Sequence, residues 1–154
     1  MAQTPARIGK HPIHPMLVVL PLGLWIAALA FDIVHVLTGN PLWRTLAFWN
    51  IGAGIIGALL AAVPGFVDYL DLDGHARRIA TYHMVLNLAA VALFAVNWYL
   101  RTRVAPDSWW PLALSVVGVV GVLVSGWLGG ELVYAHRVGV EEASRQDDRY
   151  RRVA

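Results

Sequence analysis

Six histidines and no cysteines set the range of chemistry open to this chain. Without thiols there is no thiolate metal site, no iron–sulfur cluster, no c-type haem attachment and no cysteine nucleophile. Imidazole remains, and it ligates haem iron, zinc, copper and non-haem iron. His14, His83 and His136 each lie near one end of a long apolar stretch, and His83 is the deepest of the three. Asp68 adds a carboxylate near the same ends. Two site chemistries follow. One is a b-type haem held by two of His14, His83 and His136, with His14 and His83 as the first pair and His83 and His136 as the reserve. The other is a zinc, iron or copper ion held by His14, Asp68, His83 and His136. His11 and His75 read as solvated, and His35 has no histidine opposite it. The chain contains no Walker loop, GxGxxG, HExxH or nucleophile elbow, so no catalytic role is assigned.

The elements that carry these residues are apolar. Of the 154 residues 58% are hydrophobic and only 14% charged, which excludes an ordinary soluble enzyme, a disordered tail and a disulfide scaffold. Segments 45–67, 79–100 and 108–130 contain no Asp, Glu, Lys or Arg, and 11–43 contains only Asp32. About 20 residues cross a bilayer core as a helix. The expected spans are 15–37, 43–67, 78–100 and 110–135. Thr38-Gly39-Asn40-Pro41, Asp71-Leu72-Asp73-Gly74 and Arg103 to Asp107 punctuate them. Such short connections predict an all-α, integral membrane, up-down four-helix bundle over 1–141. A charged cytoplasmic tail over 142–154 follows.

Nine basic residues fall on the side of the two termini and the second connection, against Arg44, Arg101 and Arg103 on the other. That bias puts both termini in the cytoplasm. The pI of about 9.3 at a net charge of only +2 is thereby explained as membrane orientation, not nucleic-acid binding. Trp43, Trp49, Trp98, Trp109 and Trp110 mark the outer interface. The first apolar run is too long for a signal-peptide core, so it is expected to stay as a span.

Residues 18 apart in a helix are five turns apart and share a face. On this rule His14 and Asp32 share a face with Pro21 and Trp25, and Asn50 shares one with Asp68. His83, Asn87, Ala90, Phe94 and Asn97 line the third span. His136, Gly129, Ser125 and Gly118 line the fourth, with Ser115 nearby. Polar faces should meet inside the bundle. The expected outer polar core contains Asp32, Asn50 and Asn97, with Ser115, and Asn87 lies deeper beside His83. Asp32 is expected to be protonated or bonded to His35, Asn50 or Asn97. Glu131, about 140° around the helix from His136, is expected to reach the inner interface. Small residues at four-residue spacing (Ala53, Gly57, Ala61, Gly65, and Gly126, Gly130) predict close helix packing or room for a flat cofactor.

Four motifs carry a family resemblance. They are His11-Pro12-Ile13-His14-Pro15, Gly65-Phe66-Val67-Asp68-Tyr69, His83 with Asn87, and the closing run from Gly129 through His136 to Val140. Over about residues 8–141 the chain resembles the bacterial membrane family called domain of unknown function 2231. The resemblance implies a four-helix membrane protein of the bacterial inner membrane. Some members look to be fused to Rieske or cytochrome c-type domains, which implies an electron-transfer setting. Where the family's closing motif has a glycine after the histidine, this chain has Arg137.

The combined expectation is a membrane redox protein that binds b-type haem and transfers electrons, with Arg7, Lys10, Arg77 and Arg78 near the propionates. A non-haem metal protein and a non-catalytic assembly protein are the other readings. Expected partners are the lipid bilayer, a quinone or membrane redox partner, and a second copy of the chain; nucleic acid is not expected.

Overall fold

The computed structural model describes residues 5–140; the charged tail lies outside them. Four long helices dominate: α1 (Ile13–Thr38), α2 (Pro41–Leu70), α3 (Gly74–Leu100) and α4 (Trp110–Tyr134). All four are long and apolar enough to cross a membrane. The chain is an all-α membrane helical bundle. Outward-facing large apolar side chains such as Leu59, Val63, Val85, Leu123 and Trp127 are widely exposed, as lipid contact requires. The helices run a few residues beyond the expected spans at most ends. At the start of α2, Asn40 caps the Leu42 N–H at 3.0 Å and Pro41 opens the helix. Pro21 and Pro64 both lie inside helices and neither ends one.

A small antiparallel hairpin precedes α1, pairing β1 (Arg7–Ile8) with β2 (His11–Pro12). Gly9 turns it with φ +61°, a conformation open to glycine without steric cost. Asp68, at the end of α2, accepts the Ala6 N–H at 3.0 Å and so fastens this hairpin to the bundle.

Helix α1 packs on α2 and α4, and α3 on α4 and α2, so α1 and α3 face each other across the diagonal. The main core is Trp25, Ala28, Ile51, Ala90, Phe94 and Val122 with their neighbours, and Trp25 stacks on Phe94 at 4.2 Å. A second cluster of Leu72, Ile79, Ala80 and Leu132 closes the inner end.

Glycines set how close the helices come, but not all those the four-residue spacing selects. A Cβ on Gly54 would lie 2.6 Å from Trp25 Cδ1, and one on Gly65 2.6 Å from His14 Nδ1. Gly118 meets Phe94 at 2.7 Å and Gly129 meets His83 at 3.2 Å. Ala53 instead is exposed, and Gly126 and Gly130 have nothing within 4 Å. The reason is geometric. Each four-residue step turns about 40° past a full circle, so a stripe of strict fours drifts off the contact. The buried line of α2 (Ala47, Ile51, Gly54, Gly57, Ala61, Pro64, Asp68) mixes threes with fours.

Candidate functional site: two polar layers across a pseudo-two-fold seam

The inner layer is built on His14 and His83. His14 stands in the first turn of α1, where His11-Pro12 delivers the chain into the helix. Its Nδ1 donates to the Ala61 carbonyl of α2 at 2.8 Å. His83 does the same toward α4: Nδ1 donates to the Ser125 carbonyl at 2.8 Å and lies 3.0 Å from Ser125 Oγ. Each ring therefore carries a proton on Nδ1, toward its carbonyl, and Nε2 is its second nitrogen; on His83 it offers a lone pair. The Asn87 amide donates to that lone pair on His83 at 3.0 Å. The two imidazoles face each other across the bundle, with ring centres 6.2 Å apart and planes at 88°. Anchoring the far nitrogen on a carbonyl is how proteins orient metal-binding histidines.

The outer layer is an ion pair. Asp32 takes a two-pronged hydrogen bond from Arg101, with Nη1 to Oδ1 at 2.8 Å and Nη2 to Oδ2 at 2.6 Å. Ser115 donates to Asp32 at 2.7 Å, and Asn97 accepts from Arg101 Nε at 3.1 Å. Asn97 also donates to Ser115 and to the Pro111 carbonyl. All four side chains are buried. The expectation that Asp32 is protonated or bonded to His35, Asn50 or Asn97 is thus corrected: its partners are Arg101 and Ser115. Asn50 turns back on its own helix, donating to Leu46 O at 2.9 Å, and His35 bonds the Asn40 carbonyl. Arg101, which the sequence groups with Arg44 and Arg103 at the flank, lies inside the bundle instead. It is four residues past Asn97, so it stays on the face that carries His83 and Phe94.

His136 and Asp68 do not join His14 and His83 in a shared ligand set among the described residues. Asp68 holds the N-terminal hairpin. His136 lies past the end of α4, where helical angles no longer apply, and its ring packs on His75 at 5.2 Å. Glu131 comes within reach of both for the same reason, which corrects the angle estimated from an unbroken helix.

The two helix hairpins repeat each other. Asp32 and Arg101 are 69 residues apart, and the same shift relates His14 to His83 and Trp25 to Phe94. A shift of 64 relates Gly54, Gly57, Leu59 and Gly65 of α2 to Gly118, Gly121, Leu123 and Gly129 of α4. Contacts follow the sequence: His14 lies on Gly65 as His83 lies on Gly129, and Trp25 on Gly54 as Phe94 on Gly118. α1–α2 and α3–α4 are therefore pseudo-two-fold copies, and all three pairs lie on the seam between them. The recurring glycine spacing is the signal that would have exposed this in the sequence.

A profile of the family described as "Predicted membrane protein (DUF2231)" matches residues 10–142. The chain belongs to this family. The match takes in all four helices and both polar layers. No curated protein and no solved structure matches the chain. Arg137, at the motif position where a glycine is expected, keeps a glycine-like backbone with φ +53°.

Proposed function

We propose that this DUF2231 protein is a membrane redox carrier whose His14 and His83 hold a b-type haem. The observation that carries the reading is the matched pair: two imidazoles from diagonal helices, each held through Nδ1, so that Nε2 is the nitrogen a metal would take. The spacing supports it. Two metal–imidazole bonds of about 2.0–2.1 Å, with about 1 Å from each nitrogen to its ring centre, give centres about 6 Å apart. The rings stand at 6.2 Å. Gly65 and Gly129 lie against His14 and His83, so each imidazole seats within its own hairpin and meets the other across the seam. Asn87, now bonded to His83 Nε2, would yield that lone pair. Bound haem would supply a one-electron couple for a quinone or a membrane redox partner. In this reading the protein sits in a bacterial cytoplasmic membrane with both termini toward the cytoplasm, as its basic residues favour.

A second reading, a single transition-metal ion between the same two histidines, is favoured by the ring spacing alone. Absorption spectra of the detergent-purified protein, oxidised and dithionite-reduced, separate the two when paired with metal analysis. A Soret band with a sharp reduced α-band is expected after expression with haem precursor. No Soret band, even after haem addition, overturns the haem reading, and stoichiometric metal without it selects the second.

A further inference from the structure

A separate cluster lies at the inner end of the α3–α4 hairpin. His75, Glu131 and His136 each place a ligand atom within 4.8 Å of the others. Three elements supply them: the first turn of α3, the last turns of α4 and the segment after it. We infer that these residues form a binding site for a divalent transition-metal ion of the zinc class, distinct from the His14–His83 pair. Two imidazoles and one carboxylate are a donor set zinc takes readily, leaving a fourth position for water.

The surroundings hold the ligands in place. Leu132, next to Glu131, is buried with Leu72, Ile79 and Ala80, and Ala76 and Val138 pack against the same cluster. Each ligand is thus one or two residues from an apolar anchor. The α2–α3 turn that presents His75 is also fixed: Arg77 donates to the Leu72 carbonyl at 3.4 Å and lies over the Tyr69 ring. After α4, the Val138 N–H closes on the Leu132 carbonyl at 3.0 Å, holding His136 against the helix end. His75 is exposed and Glu131 and His136 are half-buried, so an ion reaches the site from water. His75 lies eight residues before His83, about 12 Å along α3, so one ion cannot serve both places. A bound ion would tie the start of α3 to the end of α4.

The test is zinc titration of the full chain in detergent by calorimetry, with cobalt absorption as the coordination readout. We expect wild type to bind zinc and the His14→Ala/His83→Ala variant to retain one equivalent. His75→Asn, Glu131→Gln and His136→Asn should each weaken binding at least tenfold and remove the visible cobalt bands. These are surface or half-buried positions, and circular dichroism checks that helix content is retained. Absence of zinc binding in wild type overturns the site, as does undiminished binding in the three ligand variants. Loss of binding in His14→Ala/His83→Ala with the ligand variants unaffected assigns the ion to the inner pair instead. Haem spectra are not read in this experiment, so its failure is independent of the haem reading.

Discussion

At the scale of single residues, Asp32 and Arg101 are opposite charges buried against each other. Desolvating either charge costs several kcal/mol, and the two-pronged contact with Ser115 and Asn97 around it offsets that. Removing one partner leaves an uncompensated charge. Asp32→Ala and Arg101→Ala should each lose about 3–5 kcal/mol in detergent unfolding, whereas Asp32→Leu/Arg101→Met should recover most of it. Single variants as stable as wild type would show that the pair is not buried. Arg137 is a different case, an ordinary residue held at φ +53°. The left-handed conformation costs a non-glycine roughly 1–2 kcal/mol, and glycine gives back about half of that through its freer unfolded chain. Arg137→Gly should raise the thermal midpoint, by about 0.5–1 kcal/mol of stability; a fall would contradict the strain. The sequence alone marked Arg137 as a departure from its motif. What it could not show is that the backbone keeps the glycine geometry regardless.

At the scale of elements, helix existence and faces were legible and helix partners were not. The 18-residue rule places His14, Pro21, Trp25 and Asp32 together, and the last three are the buried residues of α1 along with Ala28. It fails at Asn50, which is satisfied by a carbonyl one turn back in its own helix, and at His136, which is past a helix end. Periodicity sets a face, but it neither chooses the hydrogen-bond partner of Asn50 nor marks where α4 stops before His136. The glycines show the same limit. Gly54 and Gly118 are contact points because an aromatic from the facing helix fills the gap, whereas Gly121 has nothing within 4 Å. Gly54→Ala and Gly118→Ala should cost about 1–3 kcal/mol by overpacking. Gly121→Ala should be neutral or gain up to about 1 kcal/mol of helix propensity. Detergent unfolding of the three variants is the check, and equal effects at all three would refute the contact assignment.

At the scale of the whole molecule, two copies of a helix hairpin meet along one seam, and the seam carries ion pair, aromatic stack and histidine pair in order from the outer to the inner end. Glycine spacing inside each copy recurs in the sequence, yet the copies share too few side chains for the repeat to stand out. Aspartate is answered by arginine and tryptophan by phenylalanine, so the symmetry lies in positions more than identities. Orientation in the membrane is testable because the chain has no cysteine. Asp107→Cys should react with a membrane-impermeant maleimide on intact cells and Asp73→Cys should not; the reverse pattern would invert the topology. In the proposed function His14 and His83 would together hold one haem iron. The most direct test is the absorption spectrum of the haem-loaded protein beside His14→Ala and His83→Ala. The account predicts a six-coordinate low-spin spectrum in wild type, lost to the same degree in either variant. A low-spin spectrum unchanged in both would contradict it.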